Sequence, residues 1–155
     1  MKIQWKKLLL CLAIPLAVGG LATWFSGGMA DFQDVVQPPL SPPGWVFAVV
    51  WTILYLLMGY ASYRVLVSGA EPAGIRRALR LYGAQLALNF LWPLVFFGFG
   101  WYLVAFIVLV ALWILIFLTV RAFSKIDETA GNLLLPYLLW VTFAGYLNLG
   151  VYLLN

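Results

Sequence analysis

The chain has 155 residues, of which 65% are hydrophobic and only 9% charged, with a mean hydropathy of +1.02. A water-soluble domain of this length cannot cover itself with so little polar surface, so the composition predicts an all-α integral membrane protein and excludes an ordinary soluble enzyme. A net charge of +4 and a pI near 9.4 would suggest nucleic acid in a soluble chain, but here the bases flank apolar segments, where they reach lipid head groups, and no nucleic-acid partner is expected.

In chain order, the first apolar segment covers residues 8–25 and contains Pro15 and Gly19-Gly20, breaks that membrane helices tolerate when neighbours re-satisfy the freed carbonyls. An outer loop, 26–44, follows, with Asp31, Phe32, Asp34 and the prolines Pro38, Pro39, Pro42 and Pro43. A connection of that length with no helix of its own reads as a lid or binding element. The second segment, 45–67, begins directly after Pro42-Pro43-Gly44, where a proline at a helix start costs no needed donor. The third, 78–97, and the fourth, 101–123, are separated only by Gly98-Phe99-Gly100 and therefore form an antiparallel hairpin; the fifth, 133–154, has Pro136 in its first turns. Each is close to the roughly 20 residues that cross a 30 Å hydrocarbon layer. The expected architecture is a bundle of five transmembrane helices forming a single membrane domain over residues 1–155.

Threading five spans brings all nine bases to one side: Lys2, Lys6 and Lys7 before the first, Arg64, Arg76, Arg77 and Arg80 around the turn between the second and third, and Arg121 and Lys125 between the fourth and fifth. Basic loops stay cytoplasmic, which places the N-terminus inside and Asn155 outside. A helical bundle suits the bacterial inner membrane. The acids Asp31, Asp34, Glu71, Asp127 and Glu128 all fall in loops or at span ends and histidine is absent, so the spans offer no coupling charge for a proton-driven pump and no usual metal or haem ligand. No metal site and no required cofactor are expected, and no nucleophile, base and orienting acid can be assembled for hydrolysis.

What remains is aromatic and amide chemistry. Trp5, Trp24, Trp45, Trp92, Trp101 and Trp113 suit interfacial belts, whereas Trp51 and Trp140 lie about two turns inside their spans, where the indole N–H needs a partner. Phe47, Trp51, Tyr55 and Met58 share one face of the second helix; Gln85, Asn89 and Trp92 do the same on the third, and Trp140, Ala144 and Asn148 on the fifth. One stripe alone would read as amides gluing helices together. Three of the same mixture beneath a long loop predict a cavity for a flat, largely apolar ligand with a few polar atoms.

These residues carry a family resemblance over essentially the whole chain. Pro42-Pro43-Gly44-Trp45, Trp51-Thr52-Ile53-Leu54-Tyr55 with Met58-Gly59, Gln85 to Asn89 with Trp92, and Pro136-Tyr137-Leu138-Leu139-Trp140 with Ala144, Leu147 and Asn148 resemble the tryptophan-rich sensory proteins, the TspO or translocator family that includes the peripheral-type benzodiazepine receptor. The resemblance implies a five-helix membrane receptor or carrier that binds tetrapyrroles such as porphyrin or haem, and related flat hydrophobic ligands, with a regulatory or stress-response role. It implies a pocket containing Trp51, Asn89, Trp140 and Ala144, with Phe47, Tyr55, Trp92 and Asn148 as neighbours and Phe32 as the loop aromatic. Relatives often carry Lys-Pro-x-Trp before the double proline, where this chain has Gln37-Pro38-Pro39-Leu40. Two rival activities go with the same resemblance, light-dependent porphyrin degradation and transport of tetrapyrroles or sterols, and some relatives have been placed in the outer membrane. Gly83 and Ala87, four apart on the third helix, allow the close backbone approach of a small-xxx-small contact, and since relatives form homodimers this face is the expected dimer interface.

Overall fold

Proline and glycine set several of the helix ends. The structure, a computed structural model, describes residues 2–27 and 35–155. Helix α1, Trp5–Ser26, ends on Gly27 in the left-handed conformation (φ 78°). Helix α2, Gly44–Leu66, starts after Pro43, and α3, Pro72–Pro93, takes Pro72 into its first turn. Pro93 has no N–H to give to the preceding turn, and the chain widens there into a π-helical turn, Leu94–Phe99, closed by Gly100 at φ 67°. Helix α4, Tyr102–Ile126, is followed by a single short helix α5, Glu128–Leu133, and by α6, Leu135–Leu154.

Five helices are long and apolar enough to cross a membrane, with α5 and α6 together making the fifth span, Glu128–Leu154. The third span starts six residues before the expected position 78, because Arg76, Arg77 and Arg80 are good helix formers and the helix continues past the hydrocarbon into the head-group layer. The fifth starts earlier too. There the Asp127 carboxylate caps α5, accepting from the Ala130 N–H at 3.3 Å. The same carboxylate holds Arg64 Nε at 3.0 Å and so ties the end of α2 to the α4–α5 turn.

The core runs along the bundle axis through Met58, Ala61, Val65, Leu112, Ile116, Phe123, Tyr137 and Val141, all essentially inaccessible. Outward faces are apolar as well, with Leu139 71% and Trp24 81% exposed. In water that surface would aggregate; in hydrocarbon it is the expected exterior. Trp5, Trp45 and Trp101 are likewise exposed near span ends, as interfacial anchors should be.

Around the bundle, α1 packs on α2 and α3, α3 on α4, and α4 on α6. Helices α1 and α2 approach closely at Gly59, where an added Cβ would meet the Cys11 carbonyl oxygen at 2.6 Å and the Leu12 Cα at 2.9 Å. At Gly19 an added Cβ would run into the Tyr55 ring, whereas at Gly20 it would meet nothing within 4 Å. The two helices are thus sealed toward the basic end and leave space toward the loop end.

Candidate ligand cavity

That space is a cavity of about 390 Å³ walled by α1, α2, the end of α3 with its π-helical turn, α6 and Leu112 of α4, with Gln37 and Ser41 from the described part of the loop at its rim. Its α2 wall is Phe47, Ala48, Trp51, Thr52 and Tyr55, one face at helical spacing. Asn89, Trp92 and Pro93 come from α3, and the widened turn after Pro93 brings Phe96 and Phe97 to the same wall. Ala144, Leu147, Asn148 and Val151 form the α6 side.

Two hydrogen-bonded groups fix this lining. In the first, the Tyr55 hydroxyl donates to Asn89 Oδ1 at 3.0 Å, Asn89 Nδ2 donates to the Tyr137 oxygen at 2.7 Å, and the Tyr137 hydroxyl donates to Gln85 Oε1 at 2.6 Å. That chain links α2, α3 and α6 beneath the cavity. In the second, the Trp92 indole donates to Asn148 Oδ1 at 2.9 Å and Asn148 Nδ2 donates to the Tyr102 carbonyl at 2.8 Å. Amides expected to orient a ligand are therefore first of all joining helices, as buried amides in membranes do. Tyr137 is the centre of the first group and was not singled out from the sequence as a site residue; the signal was Asn89, whose amide needs two partners at that depth.

Of the residues expected in the pocket, Phe47, Trp51, Tyr55, Asn89, Trp92, Ala144 and Asn148 line this cavity. Trp140 does not. Its ring stands edge-on to Phe47, with centroids 5.7 Å apart, and lines a groove on the outer side of the α2–α6 seam with Val50, Ile53, Leu139 and Phe143. Spacing along α6 put Trp140 and Ala144 on one face, but a large ring reaches sideways to α2 while the Ala144 methyl group stays over the cavity. Its buried indole nitrogen has no hydrogen-bond partner among the described residues. Phe32 lies outside the described residues.

The contribution of α1 could not be read from periodicity. Leu16, Gly19, Gly20, Ala22, Thr23 and Ser26 line the cavity, and the one hint in the sequence was the Gly19-Gly20 pair, which removes side chains where a ligand wall is needed. From the loop come Gln37 and Ser41. The loop is fastened to α6: the Tyr146 hydroxyl donates to the Pro39 carbonyl at 2.7 Å, and Asn155 accepts from the Val36 N–H at 3.2 Å while donating to the Val36 carbonyl at 2.9 Å. Gly150 is what lets the loop approach, since a Cβ there would meet Pro38 at 2.6 Å. Gly150→Leu is accordingly expected to push the loop off α6 and to speed ligand escape by roughly tenfold, the equivalent of about 1.4 kcal/mol of lost closure, measured as the dissociation rate in stopped-flow quenching.

A model of the TspO/MBR family matches residues 9–154, nearly the whole chain. The chain belongs to the TspO/MBR family. It is 40% identical to the tryptophan-rich protein TspO of Chlorobaculum tepidum over 96% of its own length and 95% of that protein's. It is 41% identical to the tryptophan-rich sensory protein of Cereibacter sphaeroides, covering 80% of this chain and 76% of the relative, and 38% identical to the translocator protein of Bos taurus, covering 78% and 72%. TspO/MBR membership and five apolar spans together make this an integral membrane protein. Within that family fold, the cavity is formed where α1 and α2 part, and its aromatic wall comes from α2, Trp92 of α3 and the π-helical turn.

Proposed function

We propose that this protein is a membrane receptor or carrier for tetrapyrroles, porphyrin or haem, and for related flat hydrophobic molecules, with a regulatory or stress-response role. The observation that carries the reading is the cavity itself: about 390 Å³, walled by Phe47, Trp51, Tyr55, Trp92, Phe96 and Phe97 at membrane depth under a fastened loop. Its size falls within the 300–1,000 Å³ usual for small-molecule sites, and offset or edge-on aromatic contact suits a planar ring system. Trp51 adds an indole N–H that donates to none of the described residues, a donor available to a ligand acceptor. A receptor role is in keeping with the name sensory protein given to the Cereibacter sphaeroides relative. The test is a titration of the purified protein with protoporphyrin, read by tryptophan quenching; saturable one-site quenching is expected, and quenching that rises linearly, as lipid partitioning does, rejects the reading.

The charge asymmetry supports insertion in the bacterial inner membrane with the N-terminus cytoplasmic and the cavity end outside. A homodimer through α3 belongs to the same proposal. Gly83 and Ala87 are exposed, and a Cβ on Gly83 would meet nothing within the bundle, so that face is free for a second copy. Gly83→Leu is expected to shift native mass spectra in mild detergent from dimer to monomer; a dimer that survives the change lies on another face.

A further inference from the structure

We infer that the cavity takes uncharged or cationic flat ligands and discriminates against carboxylates, so that an esterified tetrapyrrole is held more tightly than its free acid. This rests on the tetrapyrrole reading above for the ligand class, and on three further observations for the charge.

The first is where the bases lie. Lys2 precedes α1 and Lys6 and Lys7 are in its first turn, Arg64 is near the end of α2, Arg76, Arg77 and Arg80 belong to the first turns of α3, and Arg121 and Lys125 to the last of α4. All nine are at the end of the bundle away from the cavity. Among the described residues no charged side chain lines it, and in the sequence the only charged residues of the stretch joining α1 to α2 are Asp31 and Asp34, both acids. A ligand carboxylate therefore finds no counter-charge at this end.

The second is the state of the hydroxyls in the lining. Thr23 donates to the Gly19 carbonyl at 3.0 Å, Ser26 to that of Thr23 at 3.1 Å, Thr52 to that of Ala48 at 2.8 Å, and Ser41 to that of Pro38 at 2.7 Å. A hydroxyl has one hydrogen, so what these four have left for a ligand is lone pairs. Tyr55 and Trp92 have likewise spent their hydrogens, on Asn89 and Asn148. Acceptors of this kind repel a carboxylate and favour an N–H, an O–H or a cation.

The third is what donors remain. The Trp51 indole and the Gln37 carboxamide, both in the lining, donate to none of the described residues, and both are neutral, as are the Asn89 and Asn148 amides, each of which has given one of its two hydrogens. They can serve an ester carbonyl or a ring nitrogen. A carboxylate needs a charge-assisted partner to offset its desolvation, and none of these donors supplies one.

The test compares protoporphyrin with its dimethyl ester on the full chain in lipid nanodiscs, subtracting binding to empty discs so that partitioning does not enter. Cholesterol and its hemisuccinate, a second flat pair differing in one carboxylate, are compared the same way. The ester is expected to bind about tenfold more tightly than the free acid, and Gln37→Lys, which places a cation in the lining, is expected to narrow that ratio. Equal affinities, a tighter free acid, or a ratio that Gln37→Lys leaves unmoved overturns the inference. If neither porphyrin binds, the tetrapyrrole reading fails by itself and the sterol pair decides the charge preference: cholesterol held over its hemisuccinate upholds it. The reverse order, or no binding by any of the four, overturns it.

Discussion

Trp51→Ala is expected to weaken protoporphyrin binding by about 1–3 kcal/mol, roughly 5- to 150-fold in Kd, from the loss of an aromatic wall and of a free indole donor. Trp51 is placed for this by its neighbours: Tyr55 lies 5.6 Å from it along α2 and Tyr137 meets it edge-on at 6.1 Å, so the ring is held in the wall before any ligand arrives. The informative comparison is Trp140→Ala. Trp140 is not among the lining residues and backs Phe47, so its removal loosens that ring without taking away a wall, and a clearly smaller loss is expected. Quenching of the remaining tryptophans reads both variants. Equal losses would mean that the Trp140 ring turns inward when a ligand enters, and unchanged binding in a folded Trp51→Ala protein would remove this cavity as the binding site.

Gly59→Ala should lower the stability of the fold by about 1–3 kcal/mol, the usual cost of forcing atoms into a filled contact. What the new methyl group meets is backbone, the Cys11 carbonyl and the Leu12 Cα, and neither can turn aside as a side-chain end would. Helix α1 must then lift from α2 at this crossing. Gly20→Ala is the control: on the same helix pair, an added Cβ meets nothing within 4 Å, and replacing a mid-helix glycine by alanine is worth about 0.5–1 kcal/mol in favour of the variant. Thermal midpoints in detergent should fall for the first and hold or rise for the second. A Gly59→Ala protein as stable as the parent would show that α1 is not seated on α2 as described.

The two glycines also mark where the sequence stops being informative. Both are mid-helix and both belong to apolar stretches, yet one is a seal and the other borders an open space, a difference set by a second helix some forty residues away. The same limit applies to tryptophan: Trp51 and Trp140 occupy equivalent depths in their spans, and only the direction in which α6 presents its ring to α2 puts one in the cavity wall and the other behind Phe47. Asn89 and Asn148 were recognisable as polar groups that must find partners at membrane depth. That those partners are Tyr55, Tyr137, Trp92 and the Tyr102 carbonyl required the packed bundle.

By itself the sequence determined the number of spans, the side that carries the bases and the family, because hydrocarbon demands long apolar helices and leaves charge only at their ends. It also determined the α2 face of the site, since Phe47, Trp51 and Tyr55 follow a period that one helix imposes. The tertiary structure decided the rest: the share of α1, the π-helical turn that Pro93 starts, the loop lying on Gly150, and which polar hydrogens stay unspent. These depend on the distance between helices, which is fixed by how small a residue stands at each crossing and is not written in the period of any one of them.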